Sequence, residues 1–338
     1  MPDSAPPAAL SEWLNSHAGE RRLIEVERLA GGNSNETYRL QTSTGPLILR
    51  RPPAATIDST AHSMAREYRV LEALAKTTVP APRPLAFCDE ESVFGAPFIL
   101  MEFVDGVSLT DRLPDAYGED VGGAGMAVMD ALAELHRAPW REIGLADFGK
   151  PDRFLARQVD RWRAQFERNR VRELADFDRV AGWLEANRPP ETEAAILHGD
   201  FHADNCLISR SQPRVTAILD WEMSTIGDPL LDLGLVLAFW GADRPDPFAM
   251  PRVQGFSRAP GAPGRGELAA RYAERSGRSI EHLSFYLALA FWKLAAIVEG
   301  AYAHFLSGDV SDEYSRQLEW DVPLLLSEAL DFATGGRL

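Results

Sequence analysis

Two cysteines in 338 residues, Cys88 and Cys206, are too few for a disulfide framework, and neither sits in a C-x-x-C pattern. Basic residues are also short: 35 Lys and Arg stand against 50 Asp and Glu, a formal charge of −15. A field of that sign disfavours nucleic acid or an anionic membrane as the main partner and mildly favours cationic ligands. No apolar run is long enough for a bilayer. The most apolar stretch, Ser284–Val298, is about 15 residues where roughly 20 are needed, and Lys293 interrupts it, so it reads as a buried helix. The opening MPDSAPPAA has neither a basic nor an apolar targeting region, and residues 1–20 read as a partly disordered leader. No internal repeat is visible. These absences lead us to expect a cytoplasmic protein, monomer or homodimer, that works on small molecules and engages neither nucleic acid nor membrane.

What is present divides near residue 104. Before it lie strand patterns at Leu23–Ala30, Glu36–Thr42, Pro46–Arg51 and Pro97–Val104, interrupted by a helical stripe over Ser59–Lys76. After Asp105-Gly106 the periodicity is helical: Ala127–Arg137, Asp152–Arg172, Asp176–Glu185, Leu230–Trp240, Glu267–Gly277, Ile280–Leu306 and Asp312–Phe332. With 45% hydrophobic residues the chain can fill two cores. The expectation is an α+β fold of two lobes: residues 21–104 as a small antiparallel sheet with one helix, and 105–338 as a larger, mainly helical lobe.

The densest chemistry lies in HGDFHADNCLISRSQPRVTAILDWE, residues 198–222. His198-x-Asp200-x-x-x-x-Asn205 has the offsets of a kinase catalytic loop, where an Asp meets the acceptor hydroxyl and an Asn holds Mg²⁺. Cys206–Ser209 and Val215–Leu219 flank a polar turn and predict a hairpin, which would bring Asn205 and Asp220 to its open end as ligands for a hard cation. A metal hydrolase using His198, Asp200, His202 and Asp204 is the competing reading, opposed by the glycine and the short loop.

HGDFHADNCLI, LDWE and GDPLLDLG together resemble the aminoglycoside phosphotransferase family, small-molecule kinases of protein-kinase-like fold. LILRRPP, REYRVLEAL, FILMEFVDG and FWKLAAIVEGAYAHFL are similar to the branch fused to acyl-CoA dehydrogenases in animals. The resemblance, over about residues 25–306, implies a bilobal fold and ATP and Mg²⁺ as cofactors. It implies Asp200 as the catalytic residue and Asn205 and Asp220 as metal ligands. Asn33, Ser34 and Asn35, in the turn Gly31–Asn35, would face the nucleotide phosphates. Arg50 takes the place of the usual lysine, partnered by Glu67, while strand alternation turns Arg51 to the opposite face. Glu102, Phe103 and Val104 would form the hinge that meets adenine. His202, Glu222, Trp292, Lys293 and Glu299 would lie near the acceptor, beside the Gly- and Pro-rich segment 241–266.

His198 is expected as a structural hydrogen-bonding residue, Asp228 as the cap of the next helix, and Asp232 as a brace for the catalytic loop. Seven arginines between Arg153 and Arg172 form a local basic surface, read either as a solvated face or as a grip on an anionic acceptor such as a coenzyme A thioester. The expected activity is transfer of the ATP γ-phosphate to a hydroxyl of a small metabolite. The alternative is a non-catalytic, pseudokinase-like ATP-binding module.

Overall fold

The structure is a computed structural model describing residues 7–29, 35–53, 64–109, 113, 115–117, 120–241, 255–310 and 313–336. The chain forms two compact units. The first is Met1–Gly106 with Pro139–Ala146 and Thr216–Ser224; the second is Val107–Ala138, Asp147–Val215 and Thr225–Leu338. The first crossing lies close to the boundary expected near residue 104. The two later segments of the first unit are short, and their affiliation is set by what they pack on, which periodicity does not record.

In the first unit, α1 (Ala8–His17) precedes β1 (Leu23–Arg28), β2 (Glu36–Thr42) and β3 (Gly45–Arg51). There follow α2 (Met64–Leu74), β4 (Pro84–Cys88), the single turn α3 (Glu91–Phe94) and β5 (Phe98–Glu102). The strands form one antiparallel sheet in the order β1-β2-β3-β5-β4. Alternation along it sends Leu40, Leu47, Leu49, Phe98 and Leu100 to one face, where they form a buried cluster with Leu10, Trp13 and Leu14 of α1. The expected leader thus contains a core helix. Its i, i+3, i+4 apolar triplet is short and lies beside three prolines, which hid the signal. β4 is a further addition to the expected strands, because Pro80, Pro82 and Pro84 read as loop. It lies at the sheet edge, where a missing N–H costs least. The unit therefore carries more than the single helix expected.

The second unit begins with β6 (Val107–Ser108) and continues through α4 (Val121–Arg137), α5 (Phe154–Asn169), α6 (Ala175–Ala186), β7 (Ala195–Leu197) and β8 (Cys206–Ile208). β9 (Val215–Ile218) begins in this unit and leaves it. Then come β10 (Thr225–Gly227), α7 (Leu230–Ala238), α8 (Arg265–Ser276), α9 (Leu283–Ser307) and α10 (Glu313–Ala333). The first strand of the predicted hairpin pairs with β6, Val107 opposite Ile208, and the Ser209 N–H donates to the Arg214 carbonyl across the turn at 2.9 Å.

α4 starts six residues before the predicted Ala127, with the Asp120 carboxylate accepting from Gly123 N–H at 2.8 Å as its cap. Gly122, Gly123 and Gly125 are poor helix formers; at Gly125 a Cβ would lie 3.0 Å from the Trp240 ring, so close packing explains that glycine. α9 runs 25 residues, close to the predicted Ile280–Leu306, and is long and apolar enough to cross a membrane by length and composition, although its most apolar stretch read as about 15 residues. Of its most apolar window, 83% is buried inside the protein, against α5, α6, α7 and α10. It is the core helix of this unit.

The contact of α7 with α9 is set by Gly234, where an added Cβ would lie 2.7 Å from the Tyr286 carbonyl oxygen. Both elements are buried and cannot part locally, so Gly234→Ala is expected to destabilise the protein by about 1–3 kcal/mol. Urea denaturation measures this; an unchanged midpoint would contradict the packing described.

Candidate active site

β7 and β10 pair antiparallel, Ile196 opposite Ile226, and the loop His198–Asn205 leaves the end of β7. Gly199 has φ of 85°, a left-handed turn that favours glycine, and it lets two successive N–H groups point the same way. They point at Asp232 on α7. Its carboxylate accepts from His198 N at 2.7 Å and Gly199 N at 3.0 Å, and His136 Nε2 lies 3.4 Å away. Asp232 is 2% exposed, so these donors are what permit a buried charge there. The expected brace is therefore present. Burial lowers the pKa of His136, despite the pull of Asp232, and its Nδ1 meets the Tyr272 hydroxyl at 2.7 Å. Nothing in the sequence singled out His136 or Tyr272.

The brace passes its order forward. Asp200 N donates to His198 Nδ1 at 3.3 Å, which bears out the structural role of His198. Asn205 Nδ2 donates to the Asp200 carbonyl at 2.9 Å. Ala203–Asn205 makes one turn of 3-10 helix, so the histidines of this loop do not share an α-helical face. His202 Nε2 lies 3.5 Å from Asp200 Oδ2 and 3.2 Å from Asn205 Nδ2, placing this ring against both.

Asp200 itself is about half exposed, at 47% of its side chain. Burial by its surroundings raises its pKa, but the His202 hydrogen bond and the charges of His202, Lys293 and His198 outweigh this and hold it below the ordinary carboxylate range. Lys293 reaches in from α9, its Nζ donating to the Gly199 carbonyl at 3.2 Å and lying 5.2 Å over the Trp162 ring. Burial lowers its pKa, opposed by the charges of Asp200 and Asp232.

Asp228 caps α7 by accepting from Leu230 N at 3.1 Å, one residue off the expected register, and takes a second bond from the Tyr286 hydroxyl at 2.8 Å. Trp292 and Glu299 depart from the expected acceptor group. Trp292 is fully buried, stacked on Phe177 at 4.6 Å with its indole N–H donating to the Phe177 carbonyl. Glu299 is fully buried against Arg172 at 3.0 Å. Both lie on α9 with Lys293, but a helix has several faces, and theirs are core faces.

The first unit holds a separate cluster. Arg50, on the sheet face opposite the α1 core, approaches three carboxylates: Glu67 at 3.3 Å, Glu222 at 3.4 Å, and Asp220, which it hydrogen bonds. The expected Arg50–Glu67 pair is thus present. Arg51 turns the other way to Glu36 and Tyr38, each at 3.0 Å. Asp220 has φ of 65° without being glycine, a conformation disfavoured for a residue bearing a Cβ and found where surroundings enforce it. Glu222, expected beside the acceptor, belongs here and accepts from Asn35 Nδ2 at 2.7 Å. Asn33 and Ser34 lie outside the described residues. At the expected hinge the Glu102 N–H is already donated to the Arg83 carbonyl at 2.9 Å, while Phe103 is 37% exposed and Val104 half-buried.

Comparison with known proteins places this arrangement. The sequence profile of the phosphotransferase enzyme family matches residues 25–270. The chain belongs to this family. This phosphotransferase is 33% identical over 315 residues to acyl-CoA dehydrogenase family member 11 of Gallus gallus, covering 92% of the chain but 40% of that relative. The chain thus spans about two fifths of the length of such relatives. It is 25% identical to the aminoglycoside 3'-phosphotransferase of Streptomyces fradiae, over 66% of the chain and 78% of the relative. In structure it is similar to an aminoglycoside phosphotransferase-like protein of Ralstonia eutropha JMP134: TM-score 0.82, 29% identity, 98% of each chain covered. Aminoglycoside phosphotransferase APH(4)-Ia, solved with AMP-PNP and hygromycin B, shares the fold at TM-score 0.60 and 15% identity, with 97% and 99% covered. The fold is the α+β kinase-like fold that the sequence implied, and the chain is an ATP-dependent phosphotransferase with a hydroxyl as acceptor.

The residues proposed for Mg²⁺ suit a hard cation by their donor set. Asn205 has its amide nitrogen engaged with Asp200, which leaves the amide oxygen as the outward ligand. Around Arg50, one positive charge faces three carboxylates, an excess that a divalent cation would offset.

That excess also acts on Glu67. Burial first, then the neighbouring Asp220 and Glu222 charges, push its carboxyl up to about 7 against the pull of Arg50 and a backbone bond from Trp221. Its folded pKa exceeds its unfolded one, so its contribution to stability is present at low pH and is lost as pH rises through about 7. Replacing it by Gln removes that loss. The melting temperature of Glu67→Gln minus that of wild type is expected to be more positive at about pH 8 than at about pH 5. A difference independent of pH would refute the assignment.

Proposed function

We propose that this enzyme transfers the γ-phosphoryl group of Mg-ATP to a hydroxyl of a small anionic or neutral metabolite in the cytoplasm. One observation carries the reading: the loop in which Asp232 pins His198 and Gly199 while Asn205 is tied to the Asp200 carbonyl. Asp200 stands half exposed at that fixed point and is ionised throughout the physiological range. It receives the hydroxyl as a hydrogen-bond donor and aims the oxygen at phosphorus. A carboxylate of such low basicity contributes orientation first and takes the proton as the new P–O bond forms, which suits the loose transition state of phosphoryl transfer.

Arg50 grips nucleotide phosphate oxygens with a planar fork held by Glu67. Asn205 and Asp220 would hold Mg²⁺, which when bound neutralises charge on the β- and γ-phosphate oxygens. His202 orients Asp200, and Lys293 supplies a cation beside it. A pseudokinase-like module is not favoured, since a braced and ionised Asp200 serves transfer and has no part in nucleotide binding alone.

For the acceptor, the relatives named acyl-CoA dehydrogenases support a hydroxyacyl thioester over an aminoglycoside. The arginine surface of α5 supports it more narrowly than the sequence suggested. Arg163 pairs with Glu185, Arg170 with Glu167 and Glu173, Arg172 with Glu299, and Arg157 bonds the carbonyls of Lys150 and Asp152. Among the seven, Arg161 is the candidate for an anionic acceptor, because its charge acts on Lys293.

Asp200→Asn is expected to fold and to bind ATP near the wild-type level while losing roughly 10²- to 10⁴-fold in turnover. Steady-state rates over a panel of hydroxyl compounds, with ATP affinity measured beside them, test this; full turnover in the folded variant would sink the role. On the same panel, kcat/KM for hydroxyacyl coenzyme A thioesters should exceed that for aminoglycosides, and Arg161→Gln should lower only the former. Efficient aminoglycoside turnover indifferent to Arg161 would reverse the choice of acceptor.

A further inference from the structure

α2 grips the Asp220–Ser224 segment with two consecutive residues. Glu67 accepts from the Trp221 backbone N–H while it holds Arg50, and Arg66 Nη2 donates to the Ser224 carbonyl at 3.1 Å. Between those grips the chain makes one turn of 3-10 helix, Trp221–Met223. The segment is closed by its own bonds: the Trp221 indole N–H donates to the Ile218 carbonyl at 2.8 Å, and Ser224 N and Oγ both donate to the Trp221 carbonyl, at 3.1 and 2.6 Å. Trp221 and Ser224 are buried. These internal bonds fix the shape of the segment, while the bonds from α2 fix where it stands. Asp220, with its φ of 65°, immediately precedes the turn, and such a conformation persists only where the surrounding chain is held. Arg66 itself is half-buried, and burial, followed by the charge of Arg69, lowers its pKa. A guanidinium serving solubility alone would stay in water; this one is drawn in to bond a backbone carbonyl.

We propose that Arg66 is a positioning residue: by anchoring Ser224 to α2 it sets where Asp220 presents its carboxylate. The inference rests on the assignment of Asp220 to Mg²⁺ and deepens it. Glu67 ties the start of the turn to α2 and to Arg50; Arg66 ties its end to the same helix. One attachment alone would leave the segment free to pivot, and a second, three residues on, removes that freedom. The restraint matters because Mg²⁺ accepts ligands only in near-ideal octahedral geometry, so a carboxylate that swings binds it poorly. Arg66 touches neither nucleotide nor metal in this arrangement; it acts through Ser224, Trp221 and Asp220.

The test is calorimetric titration of ATP into wild type, Arg66→Met and Arg66→Lys, once with Mg²⁺ and once with EDTA. Groups that orient a metal ligand without touching the metal typically contribute roughly 10- to 100-fold to metal affinity, so Arg66→Met is expected to weaken ATP binding in Mg²⁺ by about that factor and to leave binding in EDTA unchanged. Arg66→Lys, which keeps one donor for the Ser224 carbonyl and loses the fork, should fall between wild type and Met. Unchanged affinity in Mg²⁺ would overturn the proposal. Equal weakening in Mg²⁺ and in EDTA would overturn it too, as the mark of a merely structural residue. If the Met variant does not fold, the Lys variant is read by the same criteria: a loss confined to the Mg²⁺ titration supports the role, and no loss overturns it. A wild type that binds ATP equally well in Mg²⁺ and in EDTA would instead bring down the metal assignment of Asp220, and the role of Arg66 with it.

Discussion

A carboxylate that is buried and cannot be left without donors fixes the reacting loop. Asp232 is nearly inaccessible, and removing one partner of a buried, hydrogen-bonded charge typically costs about 3–5 kcal/mol. The His198 and Gly199 N–H groups are therefore bound to it, and the left-handed turn at Gly199 is the conformation that lets both reach. Asp200 follows without freedom to wander. A loop that would otherwise pay conformational entropy on each encounter with an acceptor is ordered beforehand by a contact that touches no substrate.

The first unit meets the opposite problem, an excess of one charge. A single guanidinium faces Glu67, Asp220 and Glu222, and Asp220 is held there in a backbone conformation unusual for a residue with a side chain. Arginine suits this place better than lysine, because a planar fork can serve several carboxylates at once while an ammonium is a compact point charge. Burial, helped by the same excess, raises Glu67 into the neutral range, and the excess leaves the cluster receptive to a divalent cation. Asn35, just before β2, donates to Glu222 and is thereby joined to the cluster.

α9 shows how one element carries both stability and chemistry. Its apolar faces are buried among the surrounding helices, with the Trp292 indole hydrogen bonded and one Glu299 oxygen paired with Arg172 inside that packing. Lys293 alone of these three reaches the catalytic loop, binding the Gly199 carbonyl. A desolvated ammonium beside an ionised Asp200 is tolerable because each charge offsets the other's burial, and the pair keeps the carboxylate ionised.

The sequence by itself determined what depends on local spacing. The offsets from His198 to Asn205, the alternation that separates Arg50 from Arg51, and the helical periods of α5 to α9 are all properties of neighbouring residues, and they survived into the structure. The Arg50–Glu67 pair and the Asp232 brace were legible too, because the family pattern fixes which residues meet. Tertiary structure decided what depends on who packs against whom. It made α1 a core helix beside prolines, placed Gly125 in α4 where close packing explains it, and let an edge strand begin with proline. It moved Glu222 to Arg50 and Trp292 and Glu299 into the core, and bound Arg157, Arg163, Arg170 and Arg172 to carboxylates or backbone carbonyls. Burial and partner choice are long-range quantities: a residue's spacing says which face it occupies, and only the folded chain says what lies opposite that face.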